Sequence, residues 1–294
     1  MARNRKLRVR TVGIVTKPQG EDAIAGARRL AAWLNRRRLA VLAHETWSDG
    51  LAWPNLTRAQ MMRDADLVVV LGGDGSLLGM ARLSQSSSAP VVGINHGDFG
   101  FLAESDSGRL FKAMERILAD DCELDYRSML AVRVVREAKT ACRSQALNDA
   151  VITRRTGSRL VTLEVEVDGD YLCRYQGDGL IVATPTGSTA YSLSSGGPLV
   201  APSVGAILLT PISAHTLTSR PLVVADRSKV VVRVVGDCDD GLLTLDGQEA
   251  IELEAGDLVE VGRSRRRAAI VSVSGEGFFS VLRRKMNWGV RGNG

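Results

Sequence analysis

Apolar residues in the first part of the chain alternate between short runs and stretches with helical spacing. Apolar residues three and four positions apart predict helices with one buried face at residues 24–34 and 110–118. The short runs predict four β-strands, at residues 12–15, 39–42, 67–71 and 91–94. Strands that alternate with helices are typical of a parallel sheet with helices packed against it.

The period of the pattern changes to two from about Arg127 onward. Residues 160–167 alternate apolar and polar side chains and run into Asp168-Gly169, a pair typical of hairpin turns. Another such pair is Asp246-Gly247, and the last residues of the chain return to helical spacing. The alternation predicts further strands at residues 229–235, 242–245 and 268–273.

These patterns predict two domains and a terminal helix. Residues 1–125 form an α/β domain with a parallel, Rossmann-like sheet, and residues 126–275 form a mostly β, sandwich-like domain. A helix within residues 276–294 packs back on the first domain. Two domains suit a chain of 294 residues, which exceeds the usual size of a single core.

Composition and charge describe an ordinary globular protein. Hydrophobic residues make up 45% of the chain and charged residues 24%, which supplies enough apolar surface for sizeable cores. The net charge of +5 suits an anionic partner. The arginines are scattered in short groups such as 36–38 and 265–267, which fits helix ends and phosphate-bearing substrates better than a nucleic-acid groove.

Cysteine spacing and the length of the apolar runs indicate a cytoplasmic protein. The four cysteines form neither a CxxC pair nor a cluster with histidine, so the spacing of a structural zinc site is missing and reduced thiols are expected. The apolar run after the basic first residues is cut short by Lys17-Pro18 and cannot serve as a signal peptide. No run approaches the length of a membrane span.

A glycine-rich turn, Gly-Gly-Asp-Gly-Ser at residues 72–76, follows the third predicted strand and leads into a helical pattern. Ligands bind at the carboxyl edge of a parallel sheet, and glycines before a helix let backbone N–H groups approach phosphates. Asp74 is useful there if it binds a metal ion or takes a proton from an attacking hydroxyl. The alternative is a turn that only joins strand and helix. A Walker A loop is excluded because the chain contains no Gly-Lys pair, and Leu78 stands where a dinucleotide fingerprint needs its third glycine.

Residues 177–198 form a second unusual segment, rich in hydroxyl side chains and glycine. The pattern predicts a strand that leads into a polar turn and a short helix. Hydroxyls and open backbone amides suit ribose and phosphate oxygens. The alternative is a polar loop that is capped by its own side chains.

Together these segments resemble the bacterial NAD kinase family. Three more stretches agree with the family's motifs: Gly-Ile-Asn-His-Gly-Asp-Phe-Gly-Phe-Leu at 93–102, Ala-Leu-Asn-Asp-Ala-Val-Ile at 146–152, and residues 211–221 followed by the Asp246-Gly247-Gln248 turn. The motifs occur in the family's order over most of the chain. The glycine turn alone is shared with lipid kinases, whereas the whole set is specific.

The resemblance implies transfer of the terminal phosphate of ATP, or of polyphosphate, to the 2′-hydroxyl of the adenosine ribose of NAD. Residues 1–125 would be the kinase domain and 126–275 the NAD-binding domain. Asp74 would be the general base, and Gly72, Gly73 and Gly75 would shape the phosphate-facing turn. A divalent metal ion, Mg²⁺, would accompany ATP, with no protein side chain assigned as its ligand.

The family's NAD contacts carry over onto matching positions of this sequence. Asn148 and Asp149 match the pair that holds the adenine end, and Gln176, a polar residue, implies a preference for NAD over NADH. The implied NAD-binding set is Asp74, Gly75, Phe101, Asn148, Asp149, Arg159, Gln176, Asp178, Thr189, Ala190, Tyr191, Ser192, Leu193, Ser194 and Gln248.

Two other functions remain open from the sequence. A lipid kinase of the diacylglycerol or sphingosine type shares the glycine turn, but Asn148-Asp149 and the absence of a basic amphipathic helix disfavour it. A non-catalytic nucleotide sensor is disfavoured by the presence of Asp74. The resemblance also implies a homodimer or homotetramer with sites near subunit interfaces, and no nucleic-acid or membrane partner.

Overall fold

The computed structural model describes residues 7–16, 21–44, 47, 55–84, 89–95, 100–102, 105–106, 109–155, 160–213, 218–235 and 241–288. The chain divides into two compact units. The first combines Met1–Tyr126 with Ala268–Gly294, and the second is Arg127–Arg267. The sequence predicted boundaries after residues 125 and 275. The second observed boundary lies earlier in the chain because residues from Ala268 onward pair and pack within the first unit.

The first unit contains a parallel sheet. Its strands are β1 (Thr11–Thr16), β2 (Ala40–His44), β3 (Asn55–Leu56), β4 (Leu67–Leu71), β5 (Val91–Asn95) and β6 (Ser105–Asp106). The order across the sheet is β5-β4-β1-β2-β3, β6 pairs with β5, and all these pairs are parallel. Ile270 pairs with Val91 at the β5 edge, also in parallel. The predicted parallel sheet is therefore confirmed.

Helices cover the sheet of the first unit. They are α1 (Glu21–Arg36), α2 (Arg58–Asp64), α3 (Asp74–Ala81), α4 (Leu110–Leu118) and, after the short helix α5 (Tyr191–Ser194) of the second unit, α6 (Phe278–Lys285). The acidic first turn and basic last turn of α1 complement its dipole. Thr57 and Gln60 form a capping box that starts α2. In the described ranges no helix is both long and apolar enough to cross a membrane.

The two faces of the parallel sheet bury different helices. Leu30 of α1 and Met114 of α4 pack with the strand residue Ile14 in one apolar cluster. Successive strand residues point to opposite faces, so the neighbouring Gly13 faces the other side. There α2 comes so close that a Cβ added to Gly13 would lie 2.4 Å from Met61 Cγ.

The second unit is a sandwich of two sheets. Its strands are β7 (Glu123–Arg136), β8 (Lys139–Ala146), β9 (Asp149–Arg154), β10 (Val161–Val167), β11 (Asp170–Gly177), β12 (Gly179–Ala183), β13 (Ala206–Ile212), β14 (Leu222–Ala225), β15 (Val230–Val235), β16 (Gly241–Leu245), β17 (Glu249–Leu253) and β18 (Leu258–Ser272). One sheet has the order β11-β10-β15-β18-β7-β8 and the other β14-β13-β12-β9-β16-β17. Residues from both sheets share one buried cluster, as expected for a sandwich. The predicted mostly β architecture is confirmed.

Strand β12 is buried on both faces of its sheet. Leu180 and Val182 belong to the core between the sheets, whereas Ile181 and Ala183 pack in a separate cluster on the opposite face. All five residues of β12 are buried. The strand is thereby fixed from both sides, and it delivers the hydroxyl-rich segment that follows it to one defined place.

A buried ion pair ties β7 to the turn before β18. Asp257 has a side chain that is 1% exposed, and it accepts hydrogen bonds from Arg136 Nε at 3.0 Å and Nη2 at 2.8 Å. It also accepts the Glu254 N–H at 2.9 Å. A carboxylate removed from water needs such partners, because an uncompensated buried charge is strongly destabilising.

We expect Arg136→Met to destabilise the second unit by about 2 kcal/mol, because it leaves the Asp257 carboxylate buried with a single backbone partner. The matched control is Arg155→Met, since Arg155 pairs with Glu252 at the surface, where both side chains are more than half exposed, and should change stability by less than about 0.5 kcal/mol. Urea unfolding followed by circular dichroism measures both. Equal shifts of the two unfolding midpoints would contradict the role assigned to the buried pair.

Candidate functional site

The glycine turn lies at the carboxyl end of β4, as its pattern predicts. Strand β4 ends at Leu71, and the Gly72 N–H donates to the Ile94 carbonyl of the neighbouring β5 at 2.9 Å. Gly73 is the N-cap of α3, in an extended conformation with φ −81°, and α3 begins at Asp74. The first backbone N–H groups of the helix therefore follow directly after the strand, where an anion is favoured.

Packing does not require glycine at two positions of this turn. Among the described residues, a Cβ added to Gly73 would come no closer than 3.9 Å to another atom, the Oδ1 of Asn95, and one added to Gly75 would meet nothing within 4 Å. Neither residue has a positive φ. Neither packing against the described residues nor backbone conformation therefore accounts for glycine at these two positions.

Asp74 is held by the backbone of residues 100–102. Its carboxylate accepts the Phe101 N–H at 2.8 Å and the Leu102 N–H at 3.2 Å. Gly100 makes this approach possible, because a Cβ there would lie 1.8 Å from Asp74 Oδ1. Two amides thus fix the orientation of the carboxylate, and the same contact places Phe101, another predicted site residue, next to Asp74.

A cavity of about 430 Å³ in the second unit brings together several predicted site residues. Four of them, Asn148, Asp149, Ala190 and Tyr191, line its wall. Tyr191 is 46% exposed, so part of its aromatic side chain is accessible. The other lining residues are Val151, Thr153, Thr244, Asp246 and Gly247. The volume lies within the range typical of small-molecule sites.

The segment after β12 wraps around the Asn148 backbone. The Thr184 N–H donates to the Asn148 carbonyl at 2.8 Å, and the Thr184 hydroxyl donates to the Leu147 carbonyl at 2.6 Å. Gly187 then passes so close that a Cβ would lie 2.1 Å from the Asn148 carbonyl oxygen. These contacts explain why two motifs far apart in sequence meet at one cavity.

Asp246 holds the same loop from the other side. It occupies the hairpin turn between β16 and β17, with φ +53°, followed by Gly247 with φ +64°. Its carboxylate accepts three successive backbone N–H groups, those of Leu147 at 2.9 Å, Asn148 at 2.7 Å and Asp149 at 3.1 Å. The hairpin turn therefore also positions the loop that lines the cavity.

The cavity presents hydrogen-bond acceptors that lack donors. Asn148 Oδ1 is buried and has no hydrogen-bond partner among the described residues. Asp149 is 4% exposed, and burial together with the nearby Asp246 carboxylate raises its pKa to about 7. Acceptors buried without donors are costly in the free protein, so a ligand with amino or hydroxyl donors would be favoured here.

The remaining predicted residues lie in different settings. Ser192 is fully buried, and its hydroxyl contacts the Thr210 hydroxyl at 2.9 Å, away from the cavity. The Thr189 hydroxyl donates to the Thr186 carbonyl at 3.1 Å, and Leu193 is half-buried. Four further residues are exposed and do not line this cavity: Gln176, Asp178, Ser194 and Gln248. Arg159 lies outside the described residues.

Sequence reasoning missed Asp246 and Gly100 as site residues. The sequence analysis interprets the Asp-Gly pair at 246–247 as a hairpin turn and as part of a family motif, and Gly100 as part of another motif, but it gives neither Asp246 nor Gly100 a role in the site. The sequence analysis also misses Thr153 in β9 and Thr244 in β16, whose side chains line the cavity. Their signal, a polar residue in an otherwise apolar strand, is weak in a single sequence.

The described residues were also compared with the arrangement that a protein metal centre needs. Within the described part of the chain, no group of three or more His, Cys, Asp or Glu residues is arranged to hold a metal ion. The cavity wall has two acidic residues, Asp149 and Asp246. The carboxylate of Asp246 accepts hydrogen bonds from backbone amides.

Comparisons with known proteins cover nearly the whole chain. The family model of the ATP-NAD kinase N-terminal domain matches residues 12–122, and that of the ATP-NAD kinase C-terminal domain matches residues 147–273. The NAD kinase of Trichlorobacter lovleyi is 40% identical over 285 residues, which is 96% of this chain and 100% of that protein. The NAD kinase of Heliobacterium modesticaldum is 40% identical over 288 residues, 95% and 99% of the two chains.

Two solved structures share the fold. Yeast NADH kinase complexed with NADH aligns with a TM-score of 0.88 and 24% identity over 96% of this chain and 89% of that one. An NAD kinase from Archaeoglobus fulgidus in complex with ATP aligns with a TM-score of 0.76 and 24% identity over 94% and 98%. The matches favour neither a lipid kinase nor a nucleotide sensor. Because both family models match and relatives align over almost the full length, the chain belongs to the NAD kinase family.

Proposed function

We propose that this protein is an NAD kinase that transfers the terminal phosphate of ATP to the 2′-hydroxyl of the adenosine ribose of NAD, giving NADP and ADP. Family membership supports the reaction. The structural observation that carries it is the cavity of the second unit, where Asn148, Asp149 and Tyr191 converge in a volume of about 430 Å³. Such a site offers acceptors and an aromatic face to a nucleoside.

The glycine turn is assigned to the phosphates of the donor. Among the described residues, no atom lies closer than 3.9 Å to a Cβ added at Gly73 or Gly75, and α3 begins at Asp74, between these two glycines. Backbone N–H groups at a helix start bind phosphate oxygens through hydrogen bonds and the helix dipole. Gly72 fixes the turn to β5 through its own N–H.

Asp74 is assigned as the general base. In the reaction, a bond forms between the ribose oxygen and the terminal phosphorus, the bond from that phosphorus to the leaving ADP oxygen breaks, and the hydroxyl proton passes to Asp74. The amides of Phe101 and Leu102 hold the carboxylate in one orientation. A base that is already oriented loses less entropy as the hydroxyl arrives.

The cavity of the second unit is assigned to the adenosine part of NAD. Asn148 Oδ1 and Asp149 accept hydrogen bonds from amino or hydroxyl groups, and Tyr191 stacks on a ring. Ser192 contributes through its backbone, since its hydroxyl is buried against Thr210. The rest of the proposed NAD-binding set is Gly75, Phe101, Arg159, Gln176, Asp178, Thr189, Ala190, Leu193, Ser194 and Gln248.

The divalent cation of the reaction, Mg²⁺, is proposed to be held by the ATP phosphates rather than by a protein cluster. Its chemistry when bound is to neutralise phosphate charge. Polyphosphate is proposed as a second donor. We also propose a cytoplasmic homodimer or homotetramer with sites near subunit interfaces, on the resemblance to the family alone.

Purified protein mixed with ATP, Mg²⁺ and NAD should form NADP, measured with an NADP-specific dehydrogenase. A parallel reaction with diacylglycerol or sphingosine vesicles and labelled ATP serves as the comparison. Labelled lipid without NADP would replace the proposed function by a lipid kinase. Nucleotide binding without consumption of ATP would replace it by a sensor.

Asp74→Asn should lower kcat for NADP formation by about 10²- to 10⁴-fold, because the amide cannot accept the hydroxyl proton. The matched control is Asp66→Asn, since the Asp66 carboxylate also accepts two backbone N–H groups, of Arg10 and Thr11 at 2.9 Å, but lies outside the turn. Asp66→Asn thus measures how far kcat falls when weakened contacts between a carboxylate and backbone amides are the only change. If both variants lose kcat equally, Asp74 acts by holding the backbone and not as a base.

Gly73→Ala should leave the unfolding midpoint unchanged, since its Cβ has room, and should raise KM for ATP by roughly ten- to hundredfold because a methyl group displaces the phosphates. Gly277→Ala is the control: Gly277 is the N-cap of α6, and a Cβ there also meets nothing within 4 Å. Steady-state kinetics and thermal unfolding measure both variants. An unchanged KM for ATP in Gly73→Ala would place the phosphates elsewhere.

A further inference from the structure

Asp246 is the one carboxylate of the cavity wall that is not among the NAD contacts implied by the family motifs. It is 8% exposed, and its carboxylate accepts three backbone N–H groups of residues 147–149. Its own N–H donates to the Asp149 carbonyl at 3.0 Å. One side chain thus fixes the backbone that presents both Asn148 and Asp149 to the cavity.

Asp149 faces the same cavity with a carboxyl group that has no hydrogen-bond donor among the described residues. The titratable groups on the cavity wall are Asp149, Asp246 and Tyr191. The elements packed against Asp149 supply apolar neighbours, Ala183 from β12 and Ala150 in its own strand β9. Asp246 is the charged group that acts on Asp149.

The two carboxyl groups differ in the charge that their surroundings support. Three N–H donors compensate a negative charge on Asp246. Asp149 has no such donors, is almost fully buried and lies beside that charge, so its pKa rises to about 7. Below this pH Asp149 carries a proton, and above it Asp149 is an ionised acceptor.

We propose that Asp246 is a positioning residue of the nucleotide cavity: its carboxylate holds the Asn148-Asp149 backbone in place, and its charge acts on the Asp149 carboxyl group that accepts hydrogen bonds from NAD. This inference rests on the proposed function. NAD offers amino and hydroxyl donors on its adenosine part, which pair with the ionised form of Asp149 and with Asn148 Oδ1.

The sign of the pH effect follows from linkage. NAD binds the ionised form of Asp149, so binding at a pH below about 7 releases a proton to solvent. The affinity for NAD should then rise up to tenfold per pH unit as the pH increases toward 7 and level off above it. Protonated Asp149, in contrast, meets the ligand's donors with its own O–H.

The test is Asp246→Asn, which keeps a turn residue that tolerates positive φ but removes the charge and one acceptor oxygen. The Kd for NAD, measured by isothermal titration calorimetry at pH 8, should increase about tenfold because the loop loses its amide contacts. The midpoint of the Kd-versus-pH curve should fall by about one pH unit because Asp149 loses the neighbouring charge. A purely structural role would weaken binding without moving the midpoint.

Asp168→Asn is the matched control. Asp168 also begins an Asp-Gly hairpin turn of the second unit, has φ +56°, and accepts a backbone N–H, that of Lys229 at 2.8 Å. It does not line the cavity, so its replacement should leave both the Kd and the midpoint unchanged. A midpoint that stays near 7 in Asp246→Asn, or that moves equally in both variants, would overturn the inference.

A measurement on the unaltered protein covers the case in which Asp246→Asn does not fold. NAD is titrated at pH 6.5 in two buffers of different ionisation enthalpy, and about 0.8 proton should be released per NAD bound. Proton uptake, or none, would overturn the inference. Failure of the proposed function is separate: protein that binds NAD with proton release but forms no NADP is not an NAD kinase, yet retains the Asp246–Asp149 coupling.

Discussion

Hydrogen bonds from backbone amides to buried or half-buried carboxylates connect the segments that we propose to form the site of this protein. Asp74 receives the amides of Phe101 and Leu102 in the first unit, and Asp246 receives those of residues 147–149 in the second. Each contact joins stretches that are distant in sequence. Where these segments meet, a side-chain acceptor takes the role that a neighbouring strand has elsewhere. The proposed site residues of each unit are therefore placed by electrostatic contacts built on the sheets of that unit.

The sheets of the two units do different work. The parallel sheet of the first unit ends its strand β4 in an open turn, where the start of α3 supplies oriented amides. The sandwich of the second unit fixes β12 from both faces, which places the segment after it against Asn148. Phosphoryl transfer requires positioning and charge stabilisation more than covalent chemistry. In the site that we propose, both sheets contribute to that positioning through backbone groups held in place.

Much of the fold could be predicted from the local pattern of apolar and polar residues, whereas much of the candidate site could not. The change of period near Arg127 reflects a change from helices on a parallel sheet to an antiparallel sandwich, because burial of one face imposes the same period on every residue of an element. The direction of the Asp246 carboxylate has no such signature. An Asp-Gly pair is sufficient to form a hairpin turn, as at Asp168. No local sequence feature distinguishes such a turn from one whose Asp carboxylate also binds a distant loop.

Burial also hid the setting of individual site residues. Ser192 lies in a segment rich in hydroxyls, which the sequence treats alike, yet its side chain packs on Thr210 while Tyr191 next to it opens to the cavity. The boundary after Arg267 was equally out of reach, since β18 keeps its period of two while it passes from one unit into the other. Along β18 only the neighbouring strands change, and the pairing of strands cannot be read from a single sequence.

Four glycines of the proposed site fall into two classes that selection would treat differently. At Gly73 and Gly75 a methyl group has space among the described residues, so if these glycines serve the phosphates as proposed, selection against other residues there acts through the reaction. At Gly100 and Gly187 a methyl group would collide with Asp74 or with the Asn148 backbone, so selection acts already on the folded protein. In a library of variants screened first for expression and then for turnover, the second pair would be depleted in the first screen and the first pair only in the second.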